Sequence, residues 1–414
     1  MKKQKLLDEN GEELFEVETS EWFACRGFKH PDEWDWKEIK KEWKKLKMPK
    51  DKAYDPFHIP LEYNNRNRCG YYMLISKRGV GKTTAFIILG MILYKLYGIR
   101  IQYIRQTNEM LAPKNANRLL ETVLSCGYIA KLTEGRWNSA FYYGGEWKFC
   151  KVDDFGRIEE KAPIPFIKSL SLDRNQIYKS NYNAPFGDMT IFDEFISARY
   201  SPNEFVTYLD LLSTIIRKRS GVINIMLSNG IDEYSEYFDE FEINDEIRKM
   251  KKGDARICQT SGSTRVYVEL IDHHDKNAAR LNREYFGFKN PRLYAITGQG
   301  EWAVPVCKHY DYDDETELVD RKHYIKMGLN IVNLEIHISE KYGYIVRVHK
   351  ATKLYEDSII YTMDEIEDKR FRKGKGYSKV DAFLWNLLYK DKWHYANNSM
   401  KNFVDKYSTL VYNR

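Results

Sequence analysis

The sequence predicts an α/β fold built on a doubly wound parallel sheet, and three observations predict it. A short apolar run, Tyr71-Tyr72-Met73-Leu74-Ile75, is followed by a glycine-bearing turn and a long apolar stretch from Lys82 to about Tyr97. A second apolar run, Arg100 to Arg105, comes next, so the three pieces read as a strand–helix–strand unit. Further strand-like runs at Met189 to Phe192, Val222 to Leu227 and Arg265 to Ile271, with a helical stretch from Asn203 to about Arg219 between the first two, continue the alternation. Such alternation favours parallel strands covered by helices on both faces.

At 414 residues the chain is too long for one core of usual size, and two or three domains are expected. A composition of 43% hydrophobic and 30% charged residues excludes a mainly disordered chain. The formal charge of +6 permits nucleic-acid binding through local basic patches without requiring it. Six cysteines, Cys25, Cys69, Cys126, Cys150, Cys258 and Cys307, lie far apart with no C-x-x-C pair. That spacing argues against a zinc ribbon, an iron–sulfur site or a disulfide framework and fits a reducing cytoplasm. The chain is charged from Lys2 onward, and its longest apolar run, Ala85 to Leu93, is interrupted by Gly90. Neither a signal peptide nor a transmembrane helix is expected, and no membrane partner.

Residues 1–54 read as an N-terminal extension. In it Trp36, Ile39, Trp43 and Leu46 recur at helical spacing while Lys37, Lys40, Lys41, Lys44 and Lys45 take other positions, which predicts a basic amphipathic helix ended by Pro49. Residues 55–275 form the central domain, with an inserted hairpin expected at Trp137 to Lys151 around Gly144-Gly145. Residues 276–300 read as a linker or lid, with a strand near Arg292 to Thr297. Residues 301–414 read as a smaller α+β domain, with strands at Ile331 to Ile338 and Tyr342 to Val348, a basic run from Lys369 to Lys375, and a helix carrying Phe383, Leu384, Leu387 and Leu388.

The residues that carry chemistry begin at the first strand–helix junction. Ser76-Lys77-Arg78-Gly79-Val80-Gly81-Lys82-Thr83, extended by Thr84, occupies the place of a phosphate-binding loop. Gly79 and Gly81 would let backbone N–H groups converge on a phosphate, the helix start adds its positive dipole end, Lys82 brings a mobile charge, and Thr83 offers a hydroxyl to Mg²⁺. The departure is Ser76, where the pattern G-x-x-x-x-G-K-[ST] has its first glycine; serine fits there if the backbone does not need a positive φ. A second motif, Met189-Thr190-Ile191-Phe192-Asp193-Glu194, is an apolar strand ending in two carboxylates. It predicts Asp193 as the magnesium ligand and Glu194 as the general base for the attacking water. The expected class is therefore a P-loop NTPase of the ASCE type, using ATP and Mg²⁺.

Leu227-Ser228-Asn229 ends the next strand, where Asn229 would sense the γ-phosphate; a plain strand-end turn accounts for the same pattern equally well. Arg217, Lys218 and Arg219 close a helix, as the dipole alone favours, and in a ring one of them could act as an arginine finger. Arg105 and Lys179 are weaker candidates for contact with nucleotide or a neighbouring subunit. His273-His274, flanked by Asp272 and Asp275, reads as a polar strand end because adjacent strand residues point to opposite faces. Asp311, Asp313 and Asp314 read as an acidic turn, and no set of acids for a two-metal nuclease is identified.

These residues resemble, in order, those of the genome-packaging ATPases, or encapsidation proteins, of phi29-type podophages. The likeness rests on K-R-G-V-G-K-T at Lys77 to Thr83, Q-Y-I-R at Gln102 to Arg105, K-S-N at Lys179 to Asn181, T-I-F-D-E-F-I at Thr190 to Ile196, T-I-I-R at Thr214 to Arg217 and L-S-N at Leu227 to Asn229. The resemblance implies a homo-oligomeric ring, usually of five subunits, docked on the portal of a procapsid in the infected bacterial cytoplasm and driving double-stranded DNA inward. It implies Arg217 as a finger acting on the neighbouring subunit, Lys179 as a second basic residue at that boundary, and Arg199 facing the DNA. It also implies that the C-terminal domain is a vestigial RNase H-like nuclease fold. The first 50 or so residues have no counterpart in the family's best-known pattern, and dependence on a scaffold RNA is not supported. A nucleic-acid-remodelling ATPase such as a helicase, or a nucleotide-switched assembly protein, are the alternative readings.

Overall fold

The computed structural model describes residues 3–7, 13–18, 29–48, 54–76, 79–181, 188–196, 204–217, 219–229, 235–272, 315–328, 330–364, 368–396 and 398–412. The chain divides into two compact units, one of Met1–Ile196, Glu204–Ile231 and Phe241–Leu281, the other of Ser197–Asn203, Asp232–Glu240 and Asn282–Arg414.

In the first unit, β1 (Lys3–Leu7) and β2 (Glu13–Glu18) pair as an antiparallel hairpin apart from the main sheet. The main sheet holds ten strands: β3 (Tyr71–Ile75), β4 (Ile101–Arg105), β5 (Ser139–Tyr143), β6 (Glu146–Val152), β7 (Ile158–Lys161), β8 (Ile167–Ser171), β9 (Met189–Asp193), β10 (Ile223–Ser228), β11 (Ala255–Gln259) and β12 (Arg265–Leu270). Six of them run parallel in the order β12-β3-β10-β9-β4-β8. The sheet is mixed, however, because hairpins close both ends. β11 folds back on β12, and β5, β6 and β7 form an antiparallel extension beyond β8. The β5–β6 turn uses Gly144 and Gly145 at φ 61° and 86°, the backbone a two-residue hairpin turn requires.

The helices of this unit are α1 (Trp36–Lys45), α2 (Lys82–Tyr97), α3 (Pro113–Leu119), α4 (Glu121–Ser125), α5 (Tyr128–Leu132), α6 (Asn175–Asn181), α7 (Glu204–Ile216) and α9 (Asn244–Lys249); α8 (Glu236–Glu240) belongs to the second unit. α2 is apolar all round and buried from Ala85 to Tyr97, as a helix enclosed between a sheet and other helices must be. A side chain at Gly90 would collide with Ile101 of β4, so this glycine is what lets α2 lie close on the sheet. Gly98, at φ 73°, stops the helix and donates its N–H to the Tyr94 carbonyl. α1 is capped by Asp35, whose carboxylate accepts from the Lys37 N–H, and it buries Ile39. Its Glu42 turns inward onto Lys95 of α2 at 2.5 Å, and Trp34 just before it stacks on Tyr97 with ring centroids 5.8 Å apart. The basic helix thus spends its apolar face on the first unit, while Lys37, Lys41 and Lys44 stay exposed.

The second unit has a sheet of β13 (Glu317–Met327), β14 (Asn330–Ser339), β15 (Gly343–Lys350), β16 (Ile359–Thr362), β17 (Phe371–Lys373) and β18 (Trp393–Tyr395), in the order β17-β16-β13-β14-β15-β18. β13, β14 and β15 are antiparallel, whereas β16 runs parallel to β13 and β17 parallel to β16. α10 (Lys379–Tyr389), opened by a Ser378/Asp381 capping box, and α11 (Asn398–Tyr412) pack Leu384, Trp385, Phe403 and Tyr407 against Ile325, Leu334, Val346 and Val348. The strand expected at Arg292 to Thr297 lies outside the described residues. Among the described residues no helix is long and apolar enough to cross a membrane.

Candidate active site

The strand order brings the two motifs together. β10 lies between β3 and β9, and in register Leu227 of β10 is level with both Leu74 and Asp193. The glycine turn after β3 and the acids at the end of β9 therefore open at one edge of the sheet, flanking the end of β10, where parallel sheets place their ligands.

From the β3 side, Gly79 and Gly81 sit at φ 86° and 77°, which reserves both positions for glycine. Ser76 is not among the positive-φ residues, so serine stands there without strain. Its hydroxyl has a use instead: the Lys82 ammonium donates to Ser76 Oγ and, at 3.3 Å, to Asn229 Oδ1. Val80 is buried, and Lys82, Thr83 and Thr84 form the first turn of α2, with Lys82 only 5% exposed. Burial pushes the Lys82 ammonium down to about 8, despite the opposing pull of Asp193 and Glu194.

From the β9 side, Glu194 has a φ of 58°. Neighbouring residues of an extended strand point to opposite faces, but this left-handed turn aims both acids at one guanidinium. Arg105 Nη1 lies 3.1 Å from Asp193 Oδ2 and Nη2 lies 2.6 Å from Glu194 Oε2. Burial works against the Arg105 charge, but Tyr103, Asp193 and Glu194 outweigh it and keep it protonated. Thr83 Oγ1 donates to Asp193 Oδ1 at 3.2 Å, and the Tyr103 hydroxyl donates to Asp193 Oδ2 at 2.7 Å. Asn229 Nδ2 reaches Glu194 Oε1 at 3.5 Å, so its amide touches both the lysine and the second acid.

Hydrogen bonds thus bring Ser76, Lys82, Thr83, Asp193, Glu194 and Asn229 together at one edge of the sheet, with Gly79, Val80, Gly81 and Thr84 in the adjoining turn and helix start. Arg105 stands between the two acids, and Tyr103, to which the sequence motifs assign no role, donates to Asp193. The signal for both was period two: they share one face of β4, next to β9. Lys179 is paired with Asp210 of α7 at 2.6 Å, and Arg217 is exposed past the end of α7 at φ 50°. Arg219 is committed locally, to Asp188 at 3.1 Å and to the carbonyls that end α7. Lys77, Arg78, Arg199, Lys218, His273, His274, Asp275, Asp311, Asp313 and Asp314 lie outside the described residues.

Residues 167–258 match the family model of the podovirus DNA encapsidation protein (Gp16). The resemblance drawn from the motifs therefore holds over this stretch, which contains the strand ending in Asp193 and Glu194. No curated protein matches the sequence. Among solved structures, the chain is similar to a chain of the bacteriophage phi29 viral genome packaging motor assembly, with 18% identity over 86% of this chain and 98% of that one, at a TM-score of 0.51. The phi28 gp11 DNA packaging motor matches with 18% identity, the same coverage of 86% and 98%, and a TM-score of 0.49. The N-terminal domain of the DNA packaging ATPase from bacteriophage phi29 is 22% identical over 54% of this chain and 98% of that chain, at a TM-score of 0.39. At these identities the phi29 assembly shows a shared fold, a mixed α/β architecture with a parallel sheet.

Proposed function

We propose, from the likeness to podovirus DNA encapsidation proteins, that this chain is the ATP-hydrolysing subunit of a viral DNA-packaging motor: it converts ATP and water to ADP and phosphate and drives double-stranded DNA into a procapsid. The observation that carries the reading is the meeting of Lys82 and Thr83 with Asp193 and Glu194 across the end of β10.

A hydroxyl and a carboxylate oxygen 3.2 Å apart, Thr83 Oγ1 and Asp193 Oδ1, are the hard donors that Mg²⁺ selects. When bound there, the ion would neutralise charge on the β- and γ-phosphates. Backbone N–H groups of the glycine turn and the start of α2 hold the phosphates, and Lys82 leaves Ser76 and Asn229 to join them. Glu194 orients and deprotonates the attacking water, and Asn229 couples the phosphate side to Glu194. In this reading Lys77 and Arg78 complete the loop, residues 55–275 are an ASCE-type P-loop NTPase domain, and residues 1–54, 276–300 and 301–414 are extension, linker and C-terminal domain.

Subunits assemble as a homo-oligomeric ring, a pentamer, on the portal of the procapsid. Arg217 acts on the neighbouring subunit's γ-phosphate, Lys179 lies at the same boundary, and Arg199 contacts DNA. Exposure of Arg217, held in a left-handed turn beyond α7, supports that assignment. The second unit is read as a vestigial RNase H-like nuclease. Three antiparallel strands followed by two parallel to the first support this, and Lys326 at the end of β13 stands 3.3 Å from Asp364 beyond β16.

The test is ATPase rate with and without DNA-free capsids carrying an exposed portal. Strong stimulation by capsids, lost in Glu194→Gln protein that still binds ATP and absent in Lys82→Ala protein that does not, is the expected result. Unwinding of a forked duplex would point to a helicase, and ATP retained without turnover would point to an assembly switch.

A further inference from the structure

The Asp193 carboxylate is held differently at its two oxygens. Oδ1 meets Thr83 Oγ1, whereas Oδ2 receives the Tyr103 hydroxyl at 2.7 Å and Arg105 Nη1 at 3.1 Å. The two anchors on Oδ2 are unlike. Arg105 carries a positive charge that competes with a cation for the same carboxylate, and it divides itself between Asp193 and Glu194. Tyr103 is neutral and gives its one hydroxyl proton to Asp193. Tyr103 is 4% exposed and its ring meets Trp147 edge-on at 6.0 Å, so packing fixes where its hydroxyl sits.

We infer that Tyr103 is a positioning residue for the metal site: its hydroxyl pins Asp193 Oδ2 so that Oδ1 faces the cation beside Thr83, without adding a charge that opposes the cation. The inference rests on the reading of Asp193 as the metal-ligating carboxylate. Outer hydrogen-bond partners of a ligand tune metal affinity by orienting it, typically by 10- to 100-fold. A buried tyrosine needs an acceptor in any case. What separates positioning from simple satisfaction is whether losing the hydroxyl changes metal affinity while leaving metal-free nucleotide binding alone.

The experiment uses the full chain and a non-hydrolysable ATP analogue. Mn²⁺ binding to the protein–nucleotide complex is followed by electron paramagnetic resonance, and affinity for the analogue is measured separately in EDTA. For Tyr103→Phe, Mn²⁺ affinity should fall about tenfold, with the affinity in EDTA unchanged. Asp193→Asn should lose Mn²⁺ more completely. Wild-type Mn²⁺ affinity in Tyr103→Phe, with Asp193→Asn impaired, would reduce the phenol to a packing group and overturn the inference. Equal loss in the Mn²⁺ and EDTA arms would overturn it too, as a general disturbance of the pocket. Should Asp193→Asn itself bind Mn²⁺ normally, the failure lies in the assignment of Asp193.

Discussion

Arg105 on β4 grips both acids at the end of β9 with one guanidinium, Nη1 on Asp193 and Nη2 on Glu194, at 3.1 and 2.6 Å. The three side chains are 15%, 12% and 30% exposed, so the charges depend on one another more than on water. Arg105→Ala should lower stability by roughly 2–3 kcal/mol, because it leaves two adjacent carboxylates without their cation. Arg105→Lys should restore only part, since an ammonium lacks the planar fork. Denaturant midpoints of the three proteins decide it, and an unchanged Arg105→Ala midpoint would count against this coupling.

Lys82 gives two pH effects of opposite sign. Its value falls from 10.5 to about 8 on folding, so between these limits the unfolded chain binds the proton that the folded chain has released. The Lys82 contribution to stability therefore rises with pH across that window, by something on the order of 3 kcal/mol. Lys82→Met should abolish this rise when unfolding is compared at pH 8 and pH 10. Nucleotide binding goes the other way. It needs the ammonium, so metal-free affinity for an ATP analogue should drop by up to about tenfold per pH unit above 8. A flat profile would show that the amine does not carry binding.

Glu42 and Lys95 are 7% and 9% exposed at their side chains, with Glu134 a more distant second partner for Lys95 at 3.7 Å. Glu42→Ala should cost about 3 kcal/mol by leaving the ammonium poorly compensated. Burial opposes the Glu42 charge, but Lys45 and Lys95 outweigh it and hold the carboxyl below its usual 4.5. Its contribution is present above that value and disappears as pH falls through the folded one. The stability difference between wild type and Glu42→Gln, read from denaturant midpoints, should shrink away as pH falls.

Arg217→Ala should hydrolyse ATP slowly alone and recover when mixed with Glu194→Gln subunits, each supplying what the other lacks. Phosphate release from mixtures of the two proteins measures this. No recovery at any ratio would remove the trans role from Arg217.

The strand and helix around the glycine turn were legible to the residue: Tyr71–Ile75 and Lys82–Tyr97 are the bounds read from hydropathy. Both are long apolar runs with glycine punctuation, where pattern is strongest. β13 escaped because Glu317–Met327 alternates poorly and carries Glu317, Asp320, Arg321, Lys322 and Lys326. α11 escaped because its apolar stripe is diluted by Lys401, Asp405 and Lys406. The β5–β6 hairpin was legible from Gly144-Gly145, but its place at the sheet edge and the fold-back of β11 on β12 were not, because periodicity does not encode strand order. At the site, Lys82, Thr83, Asp193 and Glu194 were visible as motif positions. Tyr103 and the full weight of Arg105 were not, since their meaning lies in the neighbouring strand that the crossover through α2 supplies.

With β10 interposed, the lysine-bearing and acid-bearing lips of the pocket stand two strand spacings apart, about 9–10 Å at the backbone. Thr83 and Asn229 are the side chains that reach across from the first lip and the floor to the second. Because β10 is hydrogen-bonded to both neighbours, a substitution that displaces it would shift both lips at once and change the Thr83–Asp193 and Asn229–Glu194 separations together.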